Sequence, residues 1–206
     1  MYAIVKDGSI TATGNIKQLF PNTSFAGGVA NSDFKTAENV EDVVNAEQKD
    51  RKYYYVTQGD ITLVDGVPTQ QYTNKAKALD DSDAKDSDGK QLYVQVWDAD
   101  YDNGKASDGK DLPKGKMVDT SEKLVNKGLK SVMTEQVKET TNKLLSATDW
   151  MIIRKVERSV NVPSATETYR NAVLAECGRL ESAISGVSDV DALAAVMAAQ
   201  NWPKEG

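Results

Sequence analysis

The apolar residues of this chain change their spacing part-way along, and that change restricts the fold more than any other feature. Near the N-terminus they form short β-branched and aromatic runs separated by Asp-Gly and Gly-Asp pairs; beyond about residue 117 they recur every three or four positions. A period of two suits a half-buried strand, and a period near 3.6 suits an amphipathic helix. Segregation of the two predicts an α+β protein: a small N-terminal antiparallel β-sheet region with acidic loops, then a C-terminal helical hairpin or bundle.

The first region, residues 1–79, reads as strands and turns. Tyr2-Ala3-Ile4-Val5 is a short strand, Asp7-Gly8 a tight turn, and Ser9 to Thr13 the return. Phe20-Pro21-Asn22 marks a loop, and Val40 to Ala46 is read as a short helix. Tyr53-Tyr54-Tyr55-Val56-Thr57 is the strongest strand signal. Gly59-Asp60 is expected to turn it, Ile61 to Val64 to run back, and Asp65-Gly66 to turn again. Val67 to Thr73 then forms a further strand, with Pro68 near its start, where a missing donor is tolerable.

Charge separates the middle from the rest. Lys and Arg number 25 and Asp and Glu 31, a net of −6. Residues 80–111 hold ten Asp and four Lys, so this segment carries the whole imbalance. Three regions follow: 1–79, an acidic 80–116 and a helical 117–206. The middle has one good strand, Gln91 to Trp97, either added to the sheet or standing as an edge ribbon, with exposed Asp/Gly-rich loops on both sides.

In the third region Asp119 with Glu122 resembles a capping box. Val125, Leu129, Val132, Met133, Val137, Leu144 and Leu145 follow as an apolar stripe that continues through Trp150, Ile153 and Val156. Gly128 and Thr140-Thr141 interrupt it, and Pro163 is expected to stop it. Ser164 with Glu167 is a second capping box; Ala165, Tyr169, Val173, Cys177, Leu180 and Ile184 then line one face, and Gly186 closes that helix. Ser188 opens a last helix through Val190, Leu193 and Met197. Stripes this narrow are buried against each other, the sheet or another chain, so a homo-oligomer stays among the options.

Reactive chemistry is sparse. With no histidine there is no Ser-His-Asp triad, Cys-His dyad or His-ligated metal. The single cysteine, Cys177, makes no intrachain disulfide or cysteine-built zinc site, and its helical spacing reads as core packing. Asp98-Ala99-Asp100-Tyr101-Asp102-Asn103-Gly104 has oxygen ligands at alternate positions, as calcium prefers. It lacks the glycine at loop position six and the glutamate at twelve, and turn formation explains it more simply. Gly27-Gly28 has no following Lys-Ser/Thr, so there is no phosphate loop. No apolar run approaches eighteen residues, no basic leader precedes Met1 to Val5, and the acidic balance disfavours nucleic acid. The expectation is a cytoplasmic, non-enzymatic protein with no cofactor, no metal and no membrane insertion.

One stretch is familiar. Leu144-Leu145-Ser146-Ala147-Thr148-Asp149-Trp150, then Arg154, Glu157, Pro163 and Tyr169-Arg170, with Trp202-Pro203 at the end, resembles the tail fibre assembly proteins and tail assembly chaperones of tailed bacteriophages. Gly14-Asn15-Ile16, the run Leu19 to Phe25, and the Tyr-Tyr strand with Asp65-Gly66 resemble that family more loosely. The resemblance implies a chaperone in the host cytoplasm that binds a phage tail fibre subunit, or another tail protein, and assists its folding or trimerisation. The alternative it implies is a permanent virion component, a fibre tip or tail adaptor in host attachment. The motif positions Thr148, Asp149, Trp150, Arg154, Glu157, Tyr169, Arg170 and Trp202 are the candidate site. Within it, Arg154 and Glu157 are placed to pair on one helix face, Asp149 to cap a short turn, and Tyr169 to pack under Trp150 as a clasp between two helices.

Overall fold

Two Asp-Gly pairs fold the N-terminal part of the chain back on itself. The computed structural model describes residues 1–204 and divides into two units, Met1–Lys77 and the remainder from Ala78. At Asp7-Gly8 both residues have positive φ, 49° and 70°. That is the type I′ geometry whose twist matches the flanking strands. It joins β1 (Tyr2–Lys6) to β2 (Ser9–Gly14). Asn15 and Gln18 form a capping box on the short helix α1 (Ile16–Leu19). Asn31 caps α2 (Ser32–Glu38), which ends on a left-handed Asn39. Strand β3 (Val40–Asp42) then pairs with β1, giving the order β2-β1-β3. Ile16, Ala30 and Val40 form the core beneath it with Tyr2, Ile4 and three phenylalanines. Phe34 meets Phe20 and Phe25 edge-on, at 4.9 and 5.0 Å between ring centroids.

The helix expected over Val40 to Ala46 is therefore two short strands, β3 and β4 (Val44–Asn45); pairing with partners far along the chain overrides the local pattern. Strand β5 (Tyr54–Val64) does not turn at Gly59-Asp60. It runs through, with a register shift between Gln58 and Ile61, and Gly59 lies in that bulge against the backbone of Gln71. The turn is at Asp65-Gly66, φ 51° and 82°, and leads into β6 (Val67–Ala76). The second sheet has the order β4-β6-β5, with β4 parallel and β5 antiparallel to β6.

The second unit opens on β7 (Ser82–Asp83) and then a ribbon of two strands, β8 (Tyr93–Asp98) and β9 (Lys116–Lys123), that pair only with each other. The expected Gln91–Trp97 strand is thus a ribbon, not an addition to a sheet. Residues 119–126 are not the start of a helix: Asp119 and Glu122 lie in β9, and Val125 lies in β10 (Val125–Asn126), which pairs with β7. Two hairpins of the same construction flank β8. Ser87-Asp88-Gly89-Lys90 recurs as Ser107-Asp108-Gly109-Lys110. In each, the glycine N–H donates to the residue three before it (Asp86 O at 3.1 Å, Ala106 O at 2.9 Å), with glycine φ of 81° and 83°. This is a type I turn closed by a glycine bulge. Between Ala84 and Gly128 no residue is buried.

Helix α3 (Leu129–Ser146) starts at Gly128. Its first amides are capped by a segment far back in the chain: Gly128 N–H donates to Asp81 Oδ1 at 2.7 Å, Leu129 to Ala78 O at 2.8 Å and Lys130 to Leu79 O at 2.9 Å. Leu129, Met133, Val137, Thr141 and Leu145, each four apart, are its buried face. Thr140 and Thr141 do not break it; their hydroxyls donate back to Gln136 O and Val137 O. The break falls at Ala147-Thr148, where α4 (Asp149–Arg158) begins. It ends on a left-handed Ser159, well before Pro163. Helix α5 (Ser164–Gly186) takes Pro163 as its N-cap; Ser164 makes no capping bond, and Glu167 is paired with Lys155 instead. Asp189 caps α6 (Val190–Ala198). Val173, Leu180, Ile184 and Leu193 are fully buried between helices, whereas Cys177 is only half-buried and Ala165 is exposed. The architecture is α+β, with sheets in the N-terminal half and helices in the C-terminal half.

Candidate functional site

The site is the corner between α3 and α4 and the arginine that braces it. A helix that stops at Ala147 leaves its last carbonyls without intrahelical partners. Arg170, near the start of α5, supplies donors. Its Nη1 donates to Leu145 O at 2.9 Å and to Thr148 Oγ1 at 2.6 Å, and its Nη2 to Asp149 Oδ1 at 2.8 Å. Thr148 is buried and its hydroxyl donates in turn to Leu145 O at 3.0 Å. The Tyr169 hydroxyl reaches Leu144 O at 3.4 Å. A guanidinium that holds a carbonyl, a hydroxyl and a carboxylate at once fixes the angle of the corner in a way a lysine cannot. Four of the motif positions, Thr148, Asp149, Tyr169 and Arg170, therefore meet in one clasp.

Trp150 is outside that clasp. The Arg154 guanidinium lies over its ring, 5.2 Å from the centroid. Arg154 accordingly makes no ion pair with Glu157 among the described residues, and Asp149 serves Arg170 rather than capping a turn. No residue of α4 is buried. Its outer side carries Trp150 (50% exposed), Ile153 (56%) and Val156 (80%), spaced three apart along the helix. The Lys155–Glu167 pair at 2.7 Å ties the inner side to α5. The result is a firmly angled helix that presents an apolar stripe to solvent.

The C-terminal segment is held by residues that the sequence pattern did not single out. Glu176 is buried in α5; its carboxylate takes two bonds from Arg179 at 2.7 Å each and one from Asn201 N–H at 2.8 Å. Arg179 also donates to Ala199 O at 3.0 Å, which covers an end carbonyl of α6. The Arg179 pair, with help from the Asn201 amide and against the cost of burial, holds the Glu176 carboxyl below its ordinary range. Half-buried Trp202 donates to Gln200 Oε1 at 2.8 Å. Pro203 and Tyr169 share a shallow groove of about 460 Å³ with Ser164 and Thr168. A glutamate followed by an arginine three positions on is the one signal in the sequence for this anchor, and it is common on solvated helix faces.

In the acidic loops the aspartates bond to nearby backbone. Asp98 accepts from Asp100 N–H at 3.1 Å and Asp102 from Gly104 N–H at 2.8 Å, both Asx turns. No cluster of three or more His, Cys, Asp or Glu among the described residues is placed to hold a metal ion, and no described helix is long and apolar enough to cross a membrane. No protein family, no curated protein and no solved structure matches the chain.

Proposed function

We propose that this chain is a tail fibre assembly chaperone of a tailed bacteriophage, a non-enzymatic protein without cofactor or metal that binds a fibre subunit in the host cytoplasm and assists its folding or trimerisation. The observation that carries the reading is the stripe of Trp150, Ile153 and Val156, left bare on a helix whose angle is fixed from below by Arg170. A protein that shields a client's apolar surface until subunits assemble needs such a stripe, since association through a helix face is driven by apolar burial. Arg154 and Arg158 stand on the same helix, so the segment that covers it is apolar with acidic neighbours. The clasp residues shape this helix, and the stripe makes the contact.

Co-expression with the tail fibre subunit of the same phage tests the reading. Soluble, trimeric fibre is expected with the wild-type chain and its loss with Ile153→Asp/Val156→Asp, substitutions at exposed positions that leave folding within about 0.5 kcal/mol of wild type. Fibre that trimerises equally well without the chain defeats the proposal. Mass spectrometry of purified particles separates an assembly factor, absent from the virion, from a permanent tip or adaptor present in stoichiometric amount.

A further inference from the structure

We propose that two copies of this chain pair antiparallel along the free edge of β8, about a twofold axis through Gln95. Strand β8 bonds to β9 on one side, and among the described residues no backbone hydrogen bond from Tyr93–Asp98 crosses the other. Open edges are ordinarily guarded by charge, proline or a covering element. Strand β9 is guarded, by Lys116, Asp119, Glu122 and Lys123. Strand β8 is not: from Gln91 to Trp97 there is neither a charge nor a proline. A two-stranded ribbon is marginal in water, and three or more strands with an apolar face are needed for independent stability. Here Trp97 is 62% exposed, and its registered partner Met117 is exposed with it.

The choice of a second copy rests on the sequence of the strand. Tyr93-Val94-Gln95-Val96-Trp97 reads alike in chemical type from either end. A twofold axis at Gln95 sets Tyr93 against Trp97 of the partner copy, Val94 against its Val96, and Gln95 against its equivalent. Aromatic and β-branched cross-strand pairs are the units that stabilise a sheet. The same register brings Lys90 of one copy toward Asp100 of the other, and so opposes charges at both ends of an otherwise uncharged strand. Isologous pairing of this kind closes on itself at two copies. The product is a four-stranded sheet with Tyr93, Trp97 and Met117 of both copies on one face.

Sedimentation of the full chain tests this directly. The wild type is expected at twice the chain mass of 22.4 kDa. Val94→Lys/Val96→Lys and Val94→Asp/Val96→Asp are each expected to be monomeric, with dimerisation weakened roughly tenfold or more by like charges. An equimolar mixture of the two recovers the dimer, because the register sets each lysine against an aspartate. Independently, Gln95→Cys in a Cys177→Ser background is expected to form an intermolecular disulfide on the axis under mild oxidation. A monomeric wild type at every concentration, a dimer unaffected by the two lysines, a mixture that stays monomeric, or a Gln95→Cys dimer that fails to cross-link would each overturn the proposal.

Discussion

The two halves of the second unit reach order by different means. From Leu129 onward the helices bury Val137, Val173, Leu180, Ile184 and Leu193 almost completely. From residue 85 to 127 nothing is buried, and the chain is held by turns, Asx bonds, the β8–β9 ladder and the short β7–β10 pairing. Apolar burial is the main favourable contribution to folding, whereas a net backbone hydrogen bond contributes only about 0.5–1.5 kcal/mol. The helical half therefore has a core of its own, and the ribbon has none.

Truncating one side chain in each half gives the sharpest contrast. Leu180→Ala removes a fully buried side chain between helices and is expected to cost about 2–5 kcal/mol in urea unfolding followed by helical circular dichroism. Trp97→Ala removes a larger side chain from the ribbon and is expected to shift that same transition by no more than about 0.5 kcal/mol. Equal losses would show that the ribbon shares the helical core and would break the contrast. Gly128→Ala probes the junction between the halves. A Cβ there would come within 2.4 Å of Leu79 O and the Asp80 carbonyl carbon, so the segment that caps α3 must move. A loss of about 1–3 kcal/mol is expected in the helical transition. Arg170→Ala follows at about 1–3 kcal/mol, because buried Thr148 and the Leu145 carbonyl lose a charged donor. Arg170→Lys should not restore it, because one ammonium nitrogen cannot span acceptors that the guanidinium fork reaches from two separate nitrogens.

Legibility in the sequence follows the range of the determining interaction. Both Asp-Gly turns were visible because two adjacent residues decide them, and the α3 and α5 stripes because a helix satisfies its own hydrogen bonds. Gly59-Asp60 misled because its role is set by Gln70 and Gln71 on the opposite strand. Val125 sat in phase with Leu129 and Val132, yet pairing with Asp83 makes it a strand. At the candidate site the residues of the corner were visible and their bonding was not. Tyr169 and Trp150 look like natural packing partners, but the arginines take over: Arg170 occupies the corner and Arg154 covers Trp150. The repeated Ser-Asp-Gly-Lys hairpins are legible in the sequence as an internal repeat, because each turn is decided by its own few residues.

Two carboxylates give the smallest effect, and it has a definite sign. Asp81 is held below its ordinary range first by the Gly128 amide and then by the Ser131 hydroxyl, and Glu176 chiefly by Arg179. A carboxyl depressed in the folded state contributes stability that is fully present above its unfolded value, near 4.3 for glutamate and 3.9 for aspartate, and is lost as pH falls through the folded value. Neutral pH thus leaves both contacts intact, and acid releases the cap of α3 and the anchor of the segment after α6. Glu176→Gln tests the second. The amide keeps an acceptor for Asn201 but discards the charge that Arg179 faces, so the variant should unfold slightly more easily at neutral pH and lose less on acidification than the wild type. Parallel acid titrations of the two proteins, followed by helical circular dichroism, measure that difference. Identical curves would mean that the Glu176–Arg179 pair does not hold the C-terminal segment in place.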